Sequence, residues 1–467
     1  MTQPSTVPPP SAVPAPPPAP PAVREQASPP RRTAWAEGVD RLRAAVVTEP
    51  GRLRVIGAVL VALLLALGVV TVWQVSDRAA GADAVLHRSQ PLSADAASIH
   101  RSLADANTTA AVGFLAGDDE SPEVRKRYED DIRTAARLIT KAAGNSEGSP
   151  AARRHLAVLN EQLPVYTGLV ESARTNNRQG LPIGGAYLRY ADEQMREKLL
   201  PAARALYDTE SAQLDRDHRE AGTWPWAALA LGVLTLAALG WAQRRHYLRT
   251  NRVFNRGLLA ATAAAGVLVL WLAGGHAVAR AQLGAADRDA ARSLHTLNES
   301  LVAALEARGD ENMTLVARGA GAGYEEAYLA GMRKLAGEDP EAAEGGLLQR
   351  AVELADDSGG RKPVLAAQRE AGHWHARHGE VREAENTGEY ATAVDLAIGS
   401  TGSTGEIFDR LDAGLRKAIA HEQRQFQESA RAGRAALTGL AAGAGVAVLL
   451  GAAGVVGGIG RRLSEYR

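Results

Sequence analysis

Between Arg54 and Asp77 runs VIGAVLVALLLALGVVTVWQV (55–75), 21 residues without a charge. At about 1.5 Å of rise per residue, a helix of that length crosses a hydrocarbon core of roughly 30 Å. Three more uncharged blocks follow. Residues 224–242 carry Trp224, Trp226 and Trp241 at their ends, where indoles favour the membrane–water interface. Residues 257–279 lie between Arg256 and Arg280, and 435–460 between Arg434 and Arg461. The last block is rich in Gly and Ala and would make a poor helix in water. In lipid, Gly439-x-x-x-Gly443 and Gly454-x-x-x-Gly458 let helices approach closely. The first block is too long for the apolar core of a secretory signal and lacks a persuasive A-x-A site, so it reads as a retained span.

Working outward, the basic residues orient the chain. The link QRRHYLRTNRVFNR (243–256) holds Arg244, Arg245, Arg249, Arg252 and Arg256 with no acid. The N-terminal flank (Arg31, Arg32, Arg41, Arg43, Arg52, Arg54) and the tail (Arg461, Arg462, Arg467) are the other basic segments, and all three fall on one side. That side is expected to be cytoplasmic. The expected fold is all-α, with four transmembrane helices and two tandem extracytoplasmic helical bundles at 76–223 and 280–434. Residues 1–50 form a Pro-rich cytoplasmic tail, with 12 of the 22 prolines in the first thirty positions. Such a segment cannot bury enough surface to offset its ordering entropy, so disorder is expected there.

Composition excludes several functions. With 53 basic and 53 acidic residues the net charge is zero, unlike a dedicated nucleic-acid binder. No Cys means no disulfide, thiolate nucleophile or Cys-based metal site. No P-loop, G-x-S-x-G or kinase signature occurs, so no enzyme, cofactor or metal is expected. The spans lack a mid-depth charge of the kind secondary transporters use.

Both long segments read as helical. Met195, Leu199, Ala202 and Leu206 make one helical stripe, and Phe408, Leu411, Leu415 and Ala418 another, the second preceded by a Ser403-x-x-Glu406 capping box. Ser121-Pro122, Ser149-Pro150 and Asp339-Pro340 each look like a cap before a first-turn proline. In the first segment the pattern predicts helices at 79–116, 122–143, 150–178 and 183–220, the outer two continuous with spans. The repeated span–segment–span layout suggests duplication. Asp105-Ala-Asn107-Thr-Thr109 matches Asp310-Glu-Asn312-Met-Thr314, Tyr128-Glu129 matches Tyr324-Glu325, and Asn177-Arg-Gln-Gly180 matches Asn386-Thr-Gly388.

Asp105, Asn107, Thr109, Asp310, Asn312 and Thr314 are the candidate binding residues. An acid and a hydroxyl four residues apart share a helix face and suit the ammonium or hydroxyl of a polar solute. The plainer and favoured reading is a polar layer setting helix register. His373, His375 and His378 invite a metal, but only the last two lie near one face and no acid stands at ligand spacing, so a solvated helix is favoured. The arginines of the link (Arg244, Arg245, Arg249, Arg252, Arg256) are candidates to meet anionic lipid or an acidic cytoplasmic partner.

The stretches YTGLVESARTNNRQGLPIGGAYLRYADEQM (166–195), LLPAARALY (199–207) and RRHYLRTNRVFNR (244–256), on this architecture, resemble one actinobacterial family. It is the four-span membrane protein of a glutamate-sensing pathway. The resemblance covers the chain from about residue 50. It implies an extracellular solute-binding lipoprotein for glutamate or aspartate as one partner and the soluble serine/threonine kinase G as the other, and it brings no catalytic residue. The expected function is a non-enzymatic transmembrane sensor or adaptor relaying an amino-acid signal. The alternatives are a cell-envelope scaffold and a direct small-solute sensor. A homo-oligomer is compatible with the layout and not fixed by it.

Overall fold

The computed structural model describes residues 49–145, 149–250, 255–285, 290–341 and 345–464. Residues 1–48 of the Pro-rich tail and Arg252 lie outside these residues, as does the side chain of Arg249, whereas residues 49 and 50 already belong to the first helix. Among the described residues every regular element is helical and none is a strand.

Helix α1 (Glu49–Ala84) passes through a π-helical turn (Val85–Ser89) into α2 (Gln90–Ala116) without a break. Then follow α3 (Pro122–Asn145), α4 (Pro150–Arg178), α5 (Ile183–Gln194), a second π-turn (Met195–Leu199), α6 (Leu200–Ala221) and α7 (Trp226–Thr250). The second half is α8 (Arg256–Ala285), α9 (Arg292–Val316), α10 (Ala322–Ala336), α11 (Gly346–Leu354), α12 (Ser358–Asn386), α13 (Tyr390–Ile398), α14 (Thr404–Leu437) and α15 (Leu440–Ser464). Four helical stretches are long and apolar enough to cross a membrane, and they contain the four blocks read from the sequence.

The spans form an antiparallel ring in which α1 touches α7 and α15, and α8 touches the same two. Glycine permits the closest approach. A Cβ on Gly257 would collide with the Gly454 carbonyl oxygen and stand 2.6 Å from Gly458 Cα, so the second GxxxG pair packs against α8. The first pair divides its roles. Gly443 lies under the Trp271 ring, whereas Gly439 has φ +90° and sits at the break between α14 and α15. Val69, Trp73, Leu270 and Leu449 are exposed on the outside of the ring, where lipid would take the place of water.

A second break, at residues 222–225, separates α6 from α7 and frees backbone groups that must find partners. Thr223 O accepts from Arg78 Nε (2.9 Å) and His276 Nε2 lies 2.7 Å from it, while Gln74 Oε1 accepts from Ala228 N (3.0 Å). The break is thereby held by both neighbouring spans.

The repeat is plain in the backbone. Helices α4 and α12 each have 29 residues. Ser149 and Asp357 cap them by accepting from Ala152 N and Gly360 N. Gly180 and Gly388, at φ +68° and +84°, lie just beyond their C-terminal ends. Tyr128 and Tyr328 are the seventh residues of α3 and α10 and both are buried, so Tyr128 corresponds to Tyr328 and not to Tyr324. The second copy breaks at 399–403 where the first continues through its π-turn. Asp339-Pro340 starts no helix, because Asp339 Oδ1 accepts from Glu341 N two residues on and closes a turn instead.

The two segments between spans do not stand apart. Leu103, Tyr166 and Leu206 share one hydrophobic cluster with Leu301, Trp374 and Leu411. Helices α2 and α9 run parallel, since Arg101 bonds Asn298 and Thr108 Oγ1 donates to Leu305 O (2.8 Å) at a constant separation of 197 residues. Each large side chain buried in this seam contributes about 1.5–3 kcal/mol. Both predicted stripes, from Met195 to Leu206 and from Phe408 to Ala418, face this core.

Candidate functional site

Helix α2 presents Asp105 and Asn107 to opposite sides, as the roughly 200° between positions i and i+2 requires. Asn107 looks into a cavity of about 490 Å³ bounded by α2, α9, α10 and the π-turn region of α5 and α6. Its Nδ2 donates to Asp192 Oδ1 (2.8 Å) and its Oδ1 accepts from Tyr166 OH (3.3 Å). Arg196, carried by the π-turn, reaches across the seam to pair with Asp310, its guanidinium 5.9 Å from the Tyr324 ring. Burial pushes the Asp310 carboxyl up to about 7 although Arg196 opposes the shift, and burial raises Asp192 as well. Glu306, Arg204 and Lys334 complete a mixed-charge lining.

The six candidate residues therefore separate. Asn107 and Asp310, one from each copy, meet in one cavity. Asp105 lies buried on the opposite side and accepts from Arg127 Nη2 (2.9 Å) of its own half and Arg416 Nη2 (2.9 Å) of the other. Thr109 Oγ1 leans on it at 3.5 Å. With two guanidiniums on it, Asp105 has little capacity left for a solute. Thr314 Oγ1 donates to the Asp310 backbone carbonyl (2.9 Å), and Asn312 is fully buried with no partner for either amide atom among the described residues. Asp105 and Asp310 also differ in height. Asp105 stands opposite residue 302 at the seam's constant offset, so Asp310 lies 8 residues, or roughly 12 Å, further along. The shared sequence pattern does not place them as a symmetric pair.

The expectation of a solvated histidine helix holds for His373 alone. His375 is half-buried and His378 buried, the latter with Nδ1 2.9 Å from Glu311 Oε1 and Nε2 3.2 Å from both Glu325 oxygens. Glu311 also pairs with buried Arg308 and accepts from Trp374 Nε1 (3.1 Å). Burial disfavours the imidazolium, but the bonds to Glu311 and Glu325 outweigh it and raise the His378 pKa. Among the described residues no group of side chains is arranged to hold a metal ion. Sequence spacing missed this network because its acids come from α9 and α10. It also missed Asp192 and Arg196, whose i,i+4 spacing beside the buried Met195 stripe was the available signal.

In the link, Arg244 and Arg256 are exposed and Arg245 lies 5.4 Å over the Trp241 ring. None of the three is in an ion pair among the described residues.

Residues 81–219 match the family model described as an actinobacterial sensor domain. That stretch resembles a sensor module. It starts just above the first span and ends just before Trp224, so it takes in α2 to α6 with the π-turns and the first-half walls of the cavity. The match covers 139 of the 467 residues. No curated protein and no solved structure matches the chain.

Proposed function

We propose that the protein is a non-enzymatic transmembrane sensor or adaptor whose helical body lies outside the cell and whose termini and Arg-rich link lie in the cytoplasm. On this reading it relays an amino-acid signal, glutamate or aspartate, from a solute-binding lipoprotein to a cytoplasmic serine/threonine kinase. The observation that carries it is the continuous helix from Glu49 to Ala116, which joins the first span to the seam between the halves. The sensor-domain match supports the same reading, as do Arg244, Arg245 and Arg256, which form no ion pair among the described residues.

The absence of native cysteine makes the test clean. A Gln243→Cys variant should resist an impermeant maleimide in intact cells and react in inverted vesicles. In the same cells, deletion of the protein should abolish amino-acid-dependent kinase output. Labelling from outside intact cells would overturn the orientation, and unchanged kinase output would overturn the relay in favour of an envelope scaffold.

A further inference from the structure

A second cavity, about 510 Å³, opens closer to the spans between α2, α6, α9, α11 and α14. It joins the first through a constriction that shares Tyr207 and His295 with it and Arg204 and Lys334 with the other. Both signs of charge line it. Helix α6 contributes Asp208 and Asp215, seven residues apart and so on nearly the same face, with Ser211 between them and Arg219 at the foot. The facing helices contribute Arg101, Arg292 and Arg350.

None of these charges is in an ion pair among the described residues; Asp208, Arg292 and Arg350 are exposed, and Arg101 and Asp215 are half-buried. Arg101 is held by neutral acceptors instead, Asn298 Oδ1 and Ser98 Oγ (3.3 Å), and Asn298 is itself anchored through Nδ2 to Leu294 O (2.8 Å). Burial and the neighbouring Arg416 push the Arg101 guanidinium down to about 10 against the opposing pull of Tyr207 and Asp412. Tyr207 and His295 stack between the two walls with ring centroids 5.5 Å apart. A neutral solute would use neither set of charges, and a polyanion would be repelled by Asp208 and Asp215. A molecule with one charge of each sign answers both.

We propose that this cavity binds a small zwitterion with a free carboxylate and a free ammonium, an amino acid or short peptide, with Arg101 receiving the carboxylate and Asp208 and Asp215 the ammonium. The proposal deepens the sensor reading by naming a ligand the body takes directly, and it rests on that reading only for the consequence of binding. Its position fits such a role. Arg219, at the foot of the cavity, lies two residues before the end of α6 and seven before Trp226, where α7 begins. The ligand would bridge α2, which is continuous with its span, and α6, which meets its span at a break.

The test is calorimetry on the full-length chain in nanodiscs, titrated with L-glutamate, L-alanine, glycylglycine, acetate, methylammonium and inorganic phosphate. Saturable binding of at least one zwitterion is expected, and none of acetate or methylammonium. Arg101→Gln, and separately Asp208→Asn with Asp215→Asn, should each weaken it by about tenfold or more, as loss of a charge-assisted hydrogen bond does. Thermal unfolding of each variant checks that it is folded. No zwitterion binding up to roughly 10 mM, a concentration that reaches even very weak sites, would overturn the proposal. So would phosphate binding that strengthens on Asp208→Asn with Asp215→Asn. Kinase output distinguishes the two readings: intact binding with indifferent output sinks the relay alone, and intact signalling without binding sinks this site alone.

Discussion

Glu311 is a carboxylate with no access to water, and its neighbours make its removal a sharp test of how the body is held together. It pairs with Arg308, accepts from Trp374 Nε1 and lies 2.9 Å from His378 Nδ1, while Arg308 also donates to Thr404 Oγ1 (2.7 Å) and Ala397 O (2.8 Å). Glu311→Gln keeps the shape and deletes the charge, leaving buried Arg308 without a counter-ion. Removing one partner of a buried pair costs about 3–5 kcal/mol. At about 2 °C per kcal/mol for a body of this size, the apparent Tm should fall by roughly 6–10 °C. Arg308→Met combined with Glu311→Leu removes both desolvation penalties and should recover at least about half of that loss. The assay is thermal unfolding of the full chain in nanodiscs, followed by tryptophan fluorescence and circular dichroism at one scan rate. A Glu311→Gln protein within about 1 kcal/mol of the parent, or a double variant as weak as the single, would refute the reasoning.

The shared core predicts that Thr108→Cys with Gly309→Cys will oxidise spontaneously. A Cβ at Gly309 lies 3.5 Å from Thr108 Oγ1, the position a sulfur at residue 108 would take, within reach of a sulfur on residue 309 for an S–S bond of about 2 Å. Intact mass should show the bridge, and free thiols in the folded protein would argue against the seam. In the spans, Gly257→Leu should destabilise by about 1–3 kcal/mol through overpacking against Gly454 and Gly458, whereas Gly266→Ala, which has open space, should change the apparent Tm little. Equal effects would contradict the packing. Stability should also be higher at pH 5 than at pH 8. Burial pushes Asp310 and Glu422 up to about 7, so the folded state binds more protons than the unfolded between about pH 4 and 7, and the cost of ionising them is complete above that window. His378 acts in the same direction, because its raised pKa stabilises below about 6.5 and the gain disappears as pH climbs through the folded value. Glu311 and Glu325, held low by Arg308 and by His378 against the effect of burial, lose their contribution only as pH drops through their folded values, below about 4.3. A higher apparent Tm at pH 8 than at pH 5 would contradict these assignments.

Local chemistry was legible wherever the partner lay within a turn or two. Ser149 before Pro150 read as a cap and is one, and Ser403 accepts from Glu406 N (3.1 Å) as its spacing indicated. The stripe from Met195 to Leu206 named a buried face correctly. Asp339-Pro340 failed because a turn and a cap use the same residues, and only the donor two or three positions on decides between them. What could not be read was pairing across the chain. His378 reads as solvated because Glu311 and Glu325 precede it by 67 and 53 residues, and a binding role for Asp105 stays open beside the favoured polar layer because Arg416 follows it by 311. That Asn107 and Asp310 share a cavity depends on the parallel packing of α2 on α9, which no local period encodes.

The breaks in the helices give the sensor reading its mechanics. The first span is rigidly joined to α2, whereas the second and fourth meet their outer helices at residues 222–225 and at Thr438-Gly439. In the ring each hinged span touches both α1 and α8, so a tilt of α6 or α14 against α2 and α9 reaches α7, α8 and the link at 243–256. A ligand biases such a tilt only by its preference for one arrangement. Moving a two-state equilibrium from 1:99 to 99:1 takes about 5.5 kcal/mol. Charge-assisted hydrogen bonds contribute about 1.5–3 kcal/mol each, so one to Arg101 and one to the acids of α6 together come to roughly that amount. The bias is available only if those contacts form in one state and are absent from the other. A cavity between an unbroken helix and one that meets its span at a break is placed to meet that condition, because a movement at the break would change the separation of the two walls.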